Sequence, residues 1–293
     1  MEKNYRAELT GVFGDPVDGN PTGVMEEAAY RALGLNYRYL TMRVAAGDLA
    51  AAFAGAKAVG MAGLNLTMPH KQTIVPLLDG LTDAAERIGA VNTVFRDGSR
   101  WIGENTDGKG FVRALKLAGT DPAGARVTIL GAGGAARAIG VECALAGAAA
   151  ITVVNRSEAH GRALAEQIAG RTPASAVWQP WDGLAVIPAG TDILIQATSV
   201  GLHPHGEELP DVQLDTITPE MVVCDVVFNP VRPRFLQEAA ARGAKTVTGI
   251  GMLVQQGALN FELWTGRRAP ADVMYDALAR EFGAQEDARG DHH

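Results

Sequence analysis

The chain has 293 residues, 47% of them hydrophobic, which is enough for two ordinary cores, and its 35 glycines favour an α/β architecture with close helix–sheet packing. Its 33 acidic residues against 26 basic ones leave a net charge of −7 with no basic run, which argues against a polyanion-binding surface and against nucleic acid as a partner. No uninterrupted apolar stretch reaches the roughly 18–20 residues of a membrane helix and Met1-Glu2-Lys3-Asn4 opens no signal segment, so a soluble, cytoplasmic protein with no membrane partner is expected.

In chain order, Leu9 to Phe13 reads as a buried strand broken by Gly14-Asp15-Pro16, a loop of the kind that carries ligands at a strand's carboxyl end. A helix from Val24 to Leu33, a strand from Tyr37 to Met42 and an Ala-rich helix from Asp48 to Ala58 continue an alternation of β and α. The stretch from Gly63 runs as a strand into Pro69, suited to a first helical position, which puts Lys71 in the first turn of a helix. Period-two spacing sets Asn65 and Thr67 on one face of that strand end. Ile88 to Val94 reads as the next strand, and Arg96-Asp97-Gly98-Ser99 as a hairpin turn before Trp101-Ile102-Gly103. The hairpin delivers Glu104 to Gly108 to a loop that opens a helix running to Ala118, with Asp107 at its N-cap. Gly119 to Gly124 marks a domain boundary.

Beyond it, strands at 127–130, 151–154, 192–196, 221–227 and 245–248 alternate with helices, as a doubly wound parallel sheet requires. Helices from Met252 to Thr265 and from Pro270 to Phe282 follow, and the polar tail is expected to be disordered. Cys143 and Cys224 lie in apolar segments without C-x-x-C or His partners and read as buried thiols. His203-Pro204-His205, two loop histidines without a suitably spaced carboxylate, reads as a solvated loop, and no metal is expected.

The pivot is Gly131-Ala132-Gly133-Gly134-Ala135-Ala136-Arg137, between the run Val127 to Leu130 and an Ala-rich helix. Such a turn lets the backbone approach a pyrophosphate, with the free N–H groups of the helix start facing the anion. The next strand ends in Asn155-Arg156-Ser157, where a ribose-reading residue is expected. Arg with hydroxyl and amide neighbours suits a 2′-phosphate and points to NADP. Glu158 leaves NAD open, since it could read a free ribose or serve as an acid in a first helical turn.

Taken together, Asn65 to Lys71, Gly89-Ala90-Val91-Asn92-Thr93, Asn105-Thr106-Asp107-Gly108, the glycine turn, Asn155-Arg156-Ser157, Ala197-Thr198-Ser199-Val200-Gly201 and Met252-Leu253-Val254-Gln255-Gln256 resemble, in order, the signature of the shikimate dehydrogenase family. The resemblance implies a substrate domain at 1–120 completed by helices in 252–283, a Rossmann NADP domain at 121–251 and a tail at 284–293. It also implies reversible reduction of a ring ketone such as 3-dehydroshikimate, a step of aromatic amino acid biosynthesis, by a monomer or homodimer. Lys71 would supply the proton that the developing alkoxide needs and Asp107 would hold it. By similarity, Asn65, Thr67, Asn92 and Gln256 would meet the substrate, amides suiting a polyol because each offers donor and acceptor. The cofactor set would be Gly131, Ala132, Gly133, Gly134, Ala135, Asn155, Arg156, Ser157, Thr198, Val226, Gly249 and Met252.

The chain departs from the family at the end that grips the substrate carboxylate. Asn20 and Thr22 stand where the family has two serines, Pro21 stiffens the loop between them, and Asp18 adds a negative charge. Phe228 replaces the usual Tyr in Asp225-Val226-Val227-Phe228-Asn229-Pro230. On the cofactor side, His160 stands where the family often has an Arg and Gln196 where it has Asn. Retuning to another cyclic polyol ketone or a modified shikimate or quinate therefore stands beside an ordinary shikimate dehydrogenase. A non-catalytic binding paralogue and another two-domain Rossmann enzyme, such as a methylene-tetrahydrofolate dehydrogenase, are the remaining readings.

Overall fold

The computed structural model describes residues 5–283. The described residues divide into two compact units, 5–106 with Gln256–Leu278, and Asp107–Gln255 with 279–283. The first unit is built on a six-stranded sheet from β1 (Glu8–Gly14), β2 (Tyr37–Arg43), β3 (Gly63–Leu66), β4 (Gly80–Leu81), β5 (Thr93–Asp97) and β6 (Arg100–Glu104), in the order β2-β1-β3-β5-β6-β4. Helices α1 (Thr22–Ala32), α2 (Leu49–Ala58), α3 (His70–Thr73) and α4 (Asp83–Ile88) connect these strands. β1 runs parallel to β2 and β3, whereas β5 is antiparallel to β3 and to β6. Phe13, Leu64, Leu66, Ile74 and Val94 form part of its core, with Phe53 and Trp101 meeting edge to face at 5.4 Å.

The second unit starts within α5 (Thr106–Leu117) and continues through β7 (Arg126–Leu130), α6 (Gly134–Leu145), β8 (Ala150–Asn155), α7 (Glu158–Arg171), β9 (Ser175–Pro180), β10 (Ile193–Gln196), β11 (Val222–Asp225), α8 (Arg234–Ala241) and β12 (Lys245–Val247). Its sheet is parallel throughout, ordered β12-β11-β10-β7-β8-β9. This is the doubly wound parallel sheet expected from the sequence, with β9 added at one edge. The direction of winding reverses between β7 and β10, where ligands of such sheets bind beyond the strands' carboxyl ends. Val127 to Leu130 and all of β10 are buried, as strands covered on both faces must be.

Helix α9 (Gly249–Thr265) crosses the unit boundary and α10 (Ala271–Glu281) follows it. In the first unit, the Trp264 indole N–H donates to the Val94 carbonyl at 3.1 Å, and Gly63 is needed because a Cβ there would lie 2.1 Å from the indole ring. The sequence boundaries at 120/121 and 251/252 thus differ from the unit limits at 106/107 and 255/256, which fall inside α5 and α9. A glycine-rich linker marks a chain turn, while a continuous helix can pass from one core to another.

Four local expectations change. Ile88 ends helix α4, whose N-cap Thr82 accepts the Ala85 N–H and whose C-cap Gly89 is left-handed at φ +71°, so the strand starts only at Thr93. Pro69 sits one position before α3 rather than inside it. Helix α5 starts at Thr106, which puts Asp107 in its first turn instead of at the N-cap. Helix α9 starts at Gly249, so Met252 lies inside its first turn. Strand β9 was not foreseen. The expected tail at 284–293 lies outside the described residues. Among the described residues no helix is long and apolar enough to cross a membrane.

Candidate active site

Helix α3 presents Lys71, half-buried, at the end of β3. Its neighbour His70 is fully buried, with Nε2 2.7 Å from the Val44 carbonyl, and this anchors a helix of only four residues. The Val91 N–H donates to the Lys71 carbonyl at 2.7 Å, joining the Lys71 segment to the one carrying Asn92.

Around Asn92 the first unit buries a layer of amides and hydroxyls. The Asn92 Oδ1 accepts the Thr106 N–H at 2.7 Å, holding the residue just before Asp107. Asn65 donates to the Asn92 carbonyl at 3.1 Å and to the Thr93 hydroxyl at 3.0 Å, and accepts from the Tyr39 phenol at 2.8 Å. Asn260 Oδ1 accepts from the hydroxyls of Thr93 and Thr106 at 2.6 and 2.7 Å, and its amide donates to Gln256 at 3.0 Å. Asn65, Asn92 and Gln256 are thus brought together by residues the sequence reading did not single out. The available signals were period-two spacing for Tyr39 and the helical i, i+4 spacing of Gln256 and Asn260. Thr67 is half-buried; its backbone N–H donates to the Phe13 carbonyl.

In the loop after β1, Asn20 Oδ1 accepts the Thr22 N–H at 3.0 Å, so its carbonyl oxygen helps start α1. The Thr22 hydroxyl hydrogen-bonds the Tyr39 phenol, which in turn donates to Asn65. Asp15 is paired with Arg43 at 2.9 Å and Asp18 adds its field to the same guanidinium. In the second unit, the Phe228 ring packs on Phe282 with centroids 5.6 Å apart.

The glycine turn follows β7 as expected. Gly131 has φ +107° and a Cβ there would meet Thr198 Cγ2 at 3.0 Å, so the two loops beyond the central strands touch. At Gly133 and Gly134 an added Cβ would meet nothing within 4 Å, and α6 has no side-chain cap for its first N–H groups. The protein's own packing does not require those two glycines, whereas an approaching pyrophosphate would. Ala132 and Ala135 flank them. Asn155 donates to the Ser157 carbonyl at 2.8 Å, Ser157 caps α7, and Arg156 is exposed, its guanidinium 5.5 Å from the Trp181 ring centroid. Glu158 is held by Arg162 at 2.6 Å, an i, i+4 pair on α7. A dinucleotide with a 2′-phosphate fits this donor set. Gly249 packs against Val226, since a Cβ would lie 2.6 Å from the Val226 carbonyl carbon.

Gln196, fully buried, organises the Thr198 loop: Oε1 accepts the Thr198 N–H at 2.5 Å, while Nε2 donates to Val200 at 3.0 Å and to Asp225 at 3.3 Å. Burial pushes the Asp225 carboxyl up to about 8 despite donors from Val227 and Gln196. A carboxyl with a higher pKa in the folded than in the unfolded state makes a contribution to stability that is full below about 3.8 and lost as pH rises towards about 8. Urea midpoints should therefore fall across that window, and Asp225→Asn should flatten part of the fall; an equally steep profile in the variant would contradict the assignment.

Cys143 and Cys224 are buried thiols, and burial raises both pKa values. His203 and His205 are exposed, with His205 Nδ1 3.5 Å from Glu208. Among the described residues no group of three or more His, Cys, Asp or Glu is placed to hold a metal ion.

Three family models match the chain: the shikimate dehydrogenase substrate binding domain over residues 12–94, shikimate / quinate 5-dehydrogenase over 114–228, and the shikimate 5′-dehydrogenase C-terminal domain over 249–279. The shikimate dehydrogenase (NADP(+)) of Desulforamulus reducens is 42% identical, with 95% of this chain and 97% of that protein covered. That of Moorella thermoacetica is 44% identical, with 94% of each covered. Among solved structures, ligand-free 5-ketofructose reductase of Gluconobacter sp. strain CHM43 superposes with a TM-score of 0.91 at 47% identity, covering 95% of this chain and all of that one. Shikimate 5-dehydrogenase of Listeria monocytogenes, in complex with shikimate and NAD, gives 0.87 at 36% identity, covering 95% and 99%. Spanning both units and nearly the full length of these relatives, the chain belongs to the shikimate dehydrogenase family.

Proposed function

We propose that the chain is an NADP-dependent dehydrogenase that interconverts a ring hydroxyl and its ketone, with reduction of 3-dehydroshikimate to shikimate as the reference reaction. The observation that carries this is the buried amide and hydroxyl layer of Asn65, Asn92, Gln256 and Asn260, hydrogen-bonded to the segment that presents Lys71. Amides of this kind can exchange their internal partners for a polyol's hydroxyls, which both donate and accept. Bound NADPH would supply the hydride. Lys71 would give its proton to the carbonyl oxygen as the alkoxide forms, Asp107 would hold the ammonium in place, and solvent would return the proton. Gly131 to Ala135 would receive the pyrophosphate, Asn155, Arg156 and Ser157 the adenosine ribose and its phosphate, and Thr198, Val226, Gly249 and Met252 the nicotinamide half. The same proposal has the enzyme act in the cytoplasm on a small molecule, as a monomer or homodimer.

With Glu158 held by Arg162, Arg156 is the group left to read the 2′-phosphate. Arg156→Ala should raise the KM for NADPH about tenfold or more while leaving that for NADH within about twofold, since a charge-assisted hydrogen bond is worth roughly 1.5–3 kcal/mol. Equal changes for both cofactors would remove Arg156 from that role.

A second reading, an uncharged polyol ketone as substrate, is favoured by Asn20 and Thr22 at the acid-binding end, by Phe228, which offers no hydroxyl, and by the likeness to a 5-ketofructose reductase. Initial rates with shikimate, quinate and 5-ketofructose decide between the two. The first reading expects shikimate to be turned over at ordinary enzyme efficiency, and the second expects 5-ketofructose to be preferred by about a hundredfold or more, the loss of two charged hydrogen bonds.

A further inference from the structure

Thr22, Glu26 and Tyr30 follow one another at four-residue spacing, so they share one face of α1 with Cβ atoms about 5–6 Å apart. All three are buried, Glu26 completely. Its Oε1 would lie 3.3 Å from a Cβ at Gly257, the residue after Gln256 in α9. Tyr30 is bonded to Thr10 at 2.8 Å and stacked on Phe261, while Tyr39 links Thr22 to Asn65. The Glu26 carboxyl therefore lies against α9 at Gly257, the residue after Gln256, and one helical turn from the loop that replaces the family's carboxylate-gripping serines.

Neither oxygen of Glu26 has a hydrogen-bond partner among the described residues. The titratable groups that face it are Tyr30 on its own helix and Tyr39 from β2, and α9 approaches it at Gly257. Burial holds this carboxyl well above the usual carboxylate range. A buried carboxyl in such surroundings keeps its proton, and losing it would place an uncompensated charge in a weakly screened site.

We propose that Glu26 is a specificity-determining positioning residue of the substrate site, which must hold its proton for a carboxylate-bearing substrate to bind and is indifferent to an uncharged polyol. The proposal rests on the substrate site described under the function above. Ionised Glu26 and a substrate carboxylate would be like charges across Thr22, so occupancy by one excludes the other. The neutral acid imposes no such penalty, and discrimination against carboxylates grows as pH rises.

Calorimetric titration of the NADP complex with shikimate and with 5-ketofructose, from about pH 6 to about pH 9, tests this. Wild-type affinity for shikimate should weaken by up to about tenfold per pH unit above the Glu26 pKa. Glu26→Gln should bind shikimate with a flat profile, about tenfold or more tighter than wild type at the upper end, and 5-ketofructose binding should be alike in both proteins. Glu26→Met, of similar volume and also uncharged, carries the same test if the amide variant does not fold. Parallel shikimate profiles in wild type and variants, or an equal absence of shikimate binding in all of them, would overturn the proposal. Hydride transfer is followed in parallel, so a Glu26 effect on binding without any turnover would count against the dehydrogenase reading alone.

Discussion

Lys71→Ala should lower kcat by about 10²–10⁴-fold, the usual worth of a positioned general acid, while the Kd for NADPH stays within about twofold. The split between chemistry and cofactor binding is the informative part. Lys71 belongs to α3 in the first unit, and the residues proposed to hold the cofactor belong to the second, so a defect confined to turnover is what proton donation predicts. A merely solvated lysine would leave kcat unchanged, and a lysine that only supports the fold would lower stability along with activity. Asp107→Asn should show a smaller loss of kcat, because in the role proposed for Asp107 the amide would still accept a hydrogen bond but would supply no charge. Steady-state rates with NADPH varied at saturating ketone, together with thermal melting, check both variants.

Gly108→Ala should be the most disruptive of the small changes. A Cβ at that position would lie 2.2 Å from the Ala138 carbonyl oxygen and 2.6 Å from Glu142 Cγ, so α5 and α6 touch there through backbone. No side-chain rotation relieves a clash with a carbonyl of a helix core; one helix must move. Overpacking of this kind typically destabilises by about 1–3 kcal/mol, which for a unit of this size lowers Tm by several degrees. Since Asp107 precedes Gly108 in the same helical turn, kcat should fall as well. A variant with wild-type melting and rates would show that α5 can shift at no cost.

Five of the six strands of the second unit were legible because a buried parallel strand is a short apolar run between turn residues, as at Val127 to Leu130; β9, exposed or half-buried throughout, carries no such run. The sequence misled where short elements follow one another: Asp83–Ile88 makes less than two helical turns and carries too little periodicity to separate it from the strand after it. The limits at 106/107 and 255/256 were not legible either, because α5 and α9 continue across them without a break in composition. At the candidate site, Lys71, Asn65, Asn92 and Gln256 stood out through motif resemblance. Thr93 and Thr106, which help hold those side chains in place, lay within the quoted motifs but carried no role there, and Asn260 and Tyr39 lay outside them, since a buried polar residue shows what it does only once its partners are known. Glu26 is the extreme case: in the sequence it is one acid of an ordinary amphipathic helix, and only complete burial without a hydrogen-bond partner sets it apart.

The most direct measurement is the fate of the hydrogen carried at C4 of reduced NADP. With NADPH deuterated at the transferred position and either 3-dehydroshikimate or 5-ketofructose as acceptor, the alcohol product should carry one deuterium at the former carbonyl carbon, and Lys71→Ala should slow its formation by about 10²–10⁴-fold. Oxidation of the cofactor without deuterium in the product, or undiminished transfer in the Lys71 variant, would contradict the account.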